Sequence, residues 1–485
     1  MPISLLRPAL KVSSFVLFVF GIMMSVPLLL ALIYGTGNGE NFALSIAITE
    51  LLASGGWLLS RGHKTQTLAP RHMFLMTTMS WLVICLTGAL PFYFFDGFPT
   101  LSDAVFESVS GLTTTGSTVM VGLDNMPHDI LVWRSMLQWV GGLGVIGMAV
   151  AILPFLRVGG MKLFQTESSD WSDKAIPQSR AMVTWIIYAY IILTFICTLA
   201  YMLAGMDGFH AVNHAMTTIS TGGYSTSDQS FAQFVDIPSH WIAVIFMLIG
   251  AMPFSIYVHF LIKRNWQVFK DQQIRGFLLT ATVISLVLGI YLAANSELDT
   301  PHAITLAAFN IVSVITTTGY ASSDYTLWGS FSVVVFFFVM FIGGCSGSTA
   351  GGIKIFRFQL FFMMLKESAM RAVHPRAILR RRYNSQPVDD SIIFSTAAFI
   401  FTVIISLVAL TLLLSLCGLD LVTSFTGAAT ALMNVGPGLG DIIGPAGNFA
   451  SLPDSAKWLL SVGMLLGRLE FMTVILILMP TYWRG

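Results

Sequence analysis

Ten stretches of roughly twenty mostly apolar residues, each long enough to cross the hydrocarbon core of a bilayer, dominate the chain between Val12 and Pro480. They run approximately over 12–34, 42–60, 72–95, 131–155, 182–204, 240–262, 276–294, 329–360, 391–417 and 456–480. Only 10% of the residues are charged, against roughly 25% in soluble domains, so a water-soluble globule is excluded. The chain reads as an all-α polytopic membrane protein, with the lipid bilayer as its surroundings. Arg7 and Lys11 precede the first run, which is nearer a full span than a signal-peptide core and is therefore expected to be a retained helix.

The placement of charge gives the topology. Of the 25 Lys and Arg residues, 22 fall at the N-terminus, at the C-terminus or in alternate connectors. By the positive-inside rule these face the cytoplasm, which puts both termini there, in a cell (inner) membrane. Arg134 and Lys457 remain for the opposite face, and Arg468 lies inside an apolar stretch. The opposite connectors carry Asp96, Asp124, Asp129, Asp207, Asp228, Asp299 and Asp324 instead, an acidic face that suits a cation route. Net charge is only +1, without a long basic block, so nucleic acid is not a partner. Cys85, Cys197, Cys345 and Cys417 are far apart and sit in apolar stretches, where they are expected to be small buried hydrophobes. The aromatic runs at Phe336, Phe337 and Phe338, and at Phe361 and Phe362, are expected to face lipid or neighbouring helices.

After the first two spans one pattern occurs four times: an apolar span, a short semi-polar segment, a Thr/Gly-rich turn, an acidic loop and a second span. The turns read SGLTTTGSTV, TTISTGGYST, SVITTTGYAS and ALMNVGPGLG. Aligned on Gly116, Gly222, Gly319 and Gly436, they lie 106, 97 and 117 residues apart. Nine residues before these glycines come Glu107, Asn213, Asn310 and Gly427. The units implied are an N-terminal helix pair over 1–66 and repeats over 67–165, 166–268, 269–385 and 386–485. The semi-polar segments are helix-compatible but too short to cross, so each is expected to dip into the membrane and return. Irregular backbone at that depth is tolerated only where protein or a water-filled path surrounds it. Four copies in one orientation can converge on a single pore.

Such a pore can carry a cation. A permeating ion must replace its hydration shell with oxygens, which rings of backbone carbonyls provide. Glycine lets the chain take the backbone angles that aim carbonyls at an axis, and Thr and Ser add hydroxyls without charge. A re-entrant helix adds about half a negative charge at its C-terminal end. Uncharged oxygens favour a monovalent ion. The expected ion-binding residues are Thr114, Thr115 and Gly116; Ser220, Thr221 and Gly222; Thr317, Thr318 and Gly319; and Asn434, Val435 and Gly436. No cofactor is expected on the chain; the ion is the substrate. Asn213, His214 and Asn310 are expected to be hydrogen-bonding scaffold.

On these turns and their spacing the chain resembles potassium-uptake subunits of the Trk/Ktr/HKT superfamily, closest to the TrkH/TrkG branch with its extra N-terminal helix pair. The resemblance implies four M1-P-M2 units around one pseudo-four-fold pore, with one filter glycine per unit, and potassium as substrate with rubidium tolerated. It also implies a homodimer and a cytosolic TrkA-type ring that binds nucleotides. The fourth turn departs most, with Asn434, Val435 and Pro437 where the others have hydroxyl residues and tyrosine. A sodium-permeable or sodium-coupled transporter of the HKT/Ktr type is the alternative, although HKT-like sodium transporters carry serine in the first turn, where this chain has Gly116.

Two features suggest a gate. The second span of the third repeat contains GGCSGSTAGGIK, residues 343–354. Glycine costs about 1 kcal/mol relative to alanine in a helix interior. An intramembrane loop is therefore expected from Gly343, Gly344, Cys345, Ser346, Gly347, Ser348, Thr349, Ala350, Gly351 and Gly352; close small-residue helix packing is the other reading. The resemblance implies that the loop is a movable barrier. Arg468 lies level with Gly142, Ala251 and Gly344 of the other repeats. A cation at a helix centre costs on the order of 2.5–3.5 kcal/mol, so Arg468 either faces the pore, where it opposes back-leak, or pairs with an acid such as Glu470. An enzyme is disfavoured, since no HExxH, Gly-x-Ser-x-Gly or phosphate loop is present. A secondary transporter of an organic solute, with the broken helix as its midplane site, remains a remote alternative.

Overall fold

The N-terminal pair is formed by Ile3–Met23 and Ser25–Tyr34, which continue into one another at Met24, and by Gly39–Leu59, which returns alongside. Asn38, just before the returning helix, donates from Nδ2 to Asp129 Oδ2 at 2.9 Å and so ties the pair to the first repeat. The computed structural model describes residues 3–61, 70–98, 100–151, 175–234, 237–264, 266, 270–376, 380–384 and 386–484. The expected unit boundaries all fall at or beside residues outside this set, as do Lys64, Arg157, Lys162 and Lys174 of the charge groups expected to face the cytoplasm.

Each repeat begins with a long apolar helix: Pro70–Gly88, Ala175–Leu203, Gln272–Asn295 and Asp390–Leu416. A short helix follows: Leu101–Leu112, Gly208–Ile219, Thr300–Ile315 and Leu421–Met433. At 1.5 Å per residue these are about 18–24 Å long, too short to span. Their N-caps are Thr100, Asp207, Asp299 and Asp420, and Thr100, Asp207 and Asp420 accept from first-turn amides through their side chains. Sequence thus starts each helix at an acidic or hydroxyl residue on the loop side and ends it in the Thr/Gly turn.

The last element of the pattern, the inner helix, is continuous only in repeat 1, at His128–Ala151. In repeat 2 it breaks after Gly250 and resumes at Phe254, with an 87° bend. Pro253 explains the break, because it has no amide to donate and its ring clashes with the preceding turn. In repeat 3 it runs Ser330–Val339, leaves the helix, and resumes as Ile355–Val373. In repeat 4, Asp454–Arg468 and Phe471–Leu478 flank Glu470, whose φ is +58°. Among the described residues seven helices are long and apolar enough to cross a membrane alone, and the bent pair makes eight. The other two expected spans, 329–360 and 456–480, are the split ones.

Buried apolar side chains fill the space between the helices. Trp133 is central, with Phe20 and Phe42 against its ring and its Nε1 donating to Gly88 O at 3.1 Å. Phe336 is buried and stacks on Tyr325, whereas Phe338, Phe361 and Phe362 are exposed. Cys85, Cys197 and Cys345 are buried, and Cys417 is partly so.

Candidate functional site

The four Thr/Gly turns share one backbone conformation. Each short helix ends with a residue in the left-handed region: Thr114, Thr221, Thr317 and Asn434, with φ of 53°, 50°, 56° and 55°. The next amide folds back to the carbonyl five residues earlier: Thr115 N to Ser110 O, Gly222 N to Thr217 O, Thr318 N to Ser313 O and Val435 N to Thr430 O, at 2.8–3.1 Å. This is the six-to-one bond of a Schellman cap. It turns the following carbonyl out of the helix. A glycine at positive φ then follows in each turn: Gly116, Gly223, Gly319 and Gly436.

These glycines abut the carbonyls of the neighbouring turns in a closed cycle. A Cβ on Gly116 would lie 2.3 Å from Gly222 O, one on Gly223 1.8 Å from Thr318 O, one on Gly319 2.2 Å from Val435 O, and one on Gly436 2.9 Å from Thr115 O. Each repeat therefore meets the next and the fourth meets the first. No side chain fits at these positions, and the left-handed φ alone disfavours one. The four carbonyls of Thr115, Gly222, Thr318 and Val435 occupy corresponding places in the turns, with the C-terminal ends of four short helices behind them, and that of Gly222 also accepts from Gln138 Nε2 at 2.6 Å.

Repeat 2 is out of the expected register by one residue. Gly223, not Gly222, is the counterpart of Gly116, Gly319 and Gly436, and Ser220 matches the helix-capping residues Thr113 and Thr316. The residue nine before the glycine is therefore His214 rather than Asn213. Hydrogen bonds agree: Tyr224 Oη donates to the carbonyl of Glu107 at 2.8 Å, and Tyr320 Oη to that of His214 at 3.2 Å. The dipeptide Gly-Tyr common to turns 2 and 3 is the sequence signal for this register. Asn310 is held by Ser322 and Leu306, and His214 by His210 O and Ser225, so both serve as scaffold.

Below the ring, on the side of the inner-helix breaks, the Gly-rich segment of repeat 3 forms a loop. Its ends are pinned by a two-residue parallel bridge, Ile342 to Ile353 and Gly343 to Lys354. Gly343 permits this closeness, since a Cβ there would lie 2.1 Å from Gly351 O. The loop touches elements of repeats 2 and 4 and its own turn. Thr221 Oγ1 donates to Thr349 Oγ1 at 3.1 Å, and Thr349 Oγ1 to Gly250 O at 2.9 Å. Gly351 N donates to Thr317 Oγ1 at 2.6 Å, and Gly352 N to Met433 O at 2.8 Å. Cys345 N donates to Ala251 O at 2.9 Å, inside the break of the repeat 2 inner helix. Lys354 Nζ folds back onto the carbonyls of Ala350 and Gly351. All ten expected loop residues, Gly343 to Gly352, lie in this excursion, so the small-residue packing of a continuous helix is not what forms.

Arg468 is buried and donates from Nη1 to Thr349 O at 2.8 Å, while its Nε and Nη2 have no hydrogen-bond partner among the described residues. Glu470 turns away and pairs with Arg357 at 2.8 Å. A cavity of about 30 Å³ lies between the loop, Asn434, Arg468 and Met148, about the space two waters need. The loop and Arg468 thus line the space under the ring.

A family model for TrkH, described as a cation transport protein, matches residues 38–484. The chain belongs to the TrkH cation transport family. It is 45% identical to the Trk system potassium uptake protein TrkI of Halomonas elongata, covering 98% of this chain and 97% of that one. To the Trk system potassium uptake protein TrkH of Escherichia coli it is 37% identical over 99% of both. The crystal structure of the potassium transporter TrkH from Vibrio parahaemolyticus superposes with a TM-score of 0.91 at 34% identity, covering 99% of this chain and 100% of that one. As TrkH-family proteins, these relatives share the whole length of the fold, and they are named as transporters, not enzymes.

In this TrkH-family chain two buried ion pairs escaped the sequence reading. Arg134 Nε donates to Glu107 Oε1 at 2.8 Å, and Lys457 Nζ lies 2.6 Å from Asp103 Oδ1. Both acids are on the first short helix, and the two cations are those that the positive-inside count left on the opposite face. That exception was the available signal, because a buried ion needs a partner.

Proposed function

We propose that this chain takes up potassium, and tolerates rubidium, across the bacterial inner membrane through the ring of Thr115, Gly222, Thr318 and Val435 carbonyls. The observation that carries this reading is the closed cycle of four left-handed glycines against four neighbouring carbonyls. Uncharged oxygens held by rigid backbone exchange for the hydration shell of a monovalent cation. Thr114, Thr221, Thr317 and Asn434 add side-chain oxygens at the lower end of the turns. The names of the full-length relatives, potassium uptake proteins of Trk systems, support potassium over sodium.

The loop of Gly343 to Gly352 and Arg468 form the gate. Contacts of the loop with Thr221, Thr317 and Met433 O support a position across the ion's exit, and the Arg468 guanidinium adds a positive charge there. Opening requires the loop to leave these partners. A TrkA-type cytosolic nucleotide-binding ring moves it, and two copies of the chain form a homodimer with one pore each. The skew of 22 of 25 cations to one side supports cytoplasmic termini.

Rubidium-86 uptake into proteoliposomes tests this, competed with potassium, sodium and lithium and set beside Gly319→Asp. Block by potassium but not sodium, with the variant inactive, is the expected result. Equal block by sodium moves the protein to the sodium-permeable side of the superfamily. No uptake by the chain together with its cytosolic ring overturns the reading.

A further inference from the structure

The Glu107–Arg134 pair sits behind the ring. It is 0% and 1% exposed. Arg134 divides its guanidinium between two repeats: Nε to Glu107, Nη2 to Thr118 Oγ1 at 3.1 Å in repeat 1, and Nη1 to Ser225 O at 2.9 Å in repeat 2. Its central carbon lies 4.1 Å from the centre of the Tyr224 ring. Glu107 accepts from Val119 N at 3.0 Å and from Thr118 Oγ1, while its backbone carbonyl accepts from Tyr224 Oη. The backbone that leaves both turns is therefore fastened to one fork, three residues beyond the ring carbonyls of Thr115 and Gly222.

The four repeats are unequal in this respect. The positions matching Glu107 are His214, Asn310 and Gly427, so repeat 1 alone carries a carboxylate there. We infer that Glu107 and Arg134 are positioning residues that fix the spacing of the Thr115 and Gly222 carbonyls and thereby set discrimination between potassium and the smaller sodium ion. A planar guanidinium presents its donors in a fixed geometry, which a lysine ammonium does not reproduce. Paired with Glu107 it also adds no net charge behind the ring. The inference rests on the proposed potassium uptake at that ring.

The test measures sodium and potassium inhibition of rubidium-86 uptake in purified Arg134→Lys and Tyr224→Phe, with melting temperature as the check on folding. Arg134→Lys keeps the charge and loses the fork; Tyr224→Phe keeps the ring and loses one tether. Both are expected to lower the potassium-over-sodium preference, Arg134→Lys by about tenfold, the equivalent of roughly one net hydrogen bond. Asp103→Asn is the control. It breaks the other buried pair on the same helix, which does not touch the turns, and should lower the melting temperature while leaving the preference unchanged. If Arg134→Lys does not fold, Tyr224→Phe decides the question, supplemented by the difference between potassium and sodium in raising its melting temperature. Folded variants with wild-type preference overturn the inference, as does an equal loss in Asp103→Asn. A wild-type protein without potassium-competed uptake overturns the functional reading instead.

Discussion

Arg468, on the inner helix of the fourth repeat, holds the carbonyl of Thr349, at the crest of the repeat 3 loop, at 2.8 Å. The bond crosses between repeats and links a cation inside an apolar helix to the Gly-rich loop that lies under the ring. Two of the three guanidinium nitrogens remain without hydrogen-bond partners among the described residues, and Glu470, the nearest acid in sequence, spends its carboxylate on Arg357.

Removing this tether should open the pathway. A hydrogen bond to a charged group contributes about 1.5–3 kcal/mol. Arg468→Ala is expected to raise rubidium uptake by the chain alone about tenfold, the lower end of that range expressed as a shift toward the open loop. Uptake at or below wild type, from protein of normal melting temperature, would sink the gate assignment.

The register of the second turn is tested by two alanines. Gly223→Ala places a Cβ 1.8 Å from Thr318 O at a φ of +77°, against rigid backbone. Gly222→Ala meets the amide group of Gln138 instead, a side chain that donates to Gly222 O at 2.6 Å and accepts from Tyr224 N at 3.0 Å, and requires no left-handed φ. Gly223→Ala should abolish uptake and Gly222→Ala reduce it. The reverse order would return Gly222 to the place expected from the first alignment.

Much of the fold was legible because it is written in local composition. Spans follow from runs of apolar residues, the four units from their repetition, and the loop from five glycines in twelve residues. The register in repeat 2 was not, since TGGY offers two glycines and only backbone angles distinguish them. Pro253, three residues after Gly250, was the unread sign of the broken helix in that repeat, because it follows the glycine at the level where the inner helices of repeats 3 and 4 also break. The ion pairs Asp103–Lys457 and Glu107–Arg134 join elements distant in sequence, and nothing local to either residue names its partner.

The Arg357–Glu470 pair should be costly to break from one side. Arg357 is 1% exposed, stands 3.5 Å from the centre of the Phe399 ring, and has no hydrogen-bond partner for Nε or Nη1 among the described residues. Glu470→Gln leaves that charge buried and uncompensated, which costs about 3–5 kcal/mol for a fully buried pair; with Glu470 15% exposed, the lower end applies. A clear drop in melting temperature in detergent is expected, and the double variant Arg357→Met with Glu470→Met should recover most of it. A single variant as stable as wild type would mean that the pair carries no net stabilisation.

Near the far end of the helix Ile355–Val373, Glu367 gathers Arg381 and Arg371, the latter at 2.5 Å, and Arg381 also reaches Asp390. This cluster fastens the connector between repeats 3 and 4 onto the helix Ile355–Val373, which leads out of the loop. Hydrogen bonding from Arg381 holds the Glu367 carboxyl below its ordinary value of 4.5. A carboxyl depressed in the folded state stabilises it above its unfolded pKa, and that stabilisation is lost as pH falls through the folded value. The connector should therefore stay docked at neutral pH and loosen only below about pH 4.5, the ordinary value for this group. Hydrogen exchange of residues 380–384 along a pH series, corrected for intrinsic rates, checks this: wild type should gain exchange in the acid range, whereas Glu367→Gln should exchange faster already at pH 7 and change little on acidification. Identical profiles for the two proteins would show that Arg381 and Glu367 do not hold the connector.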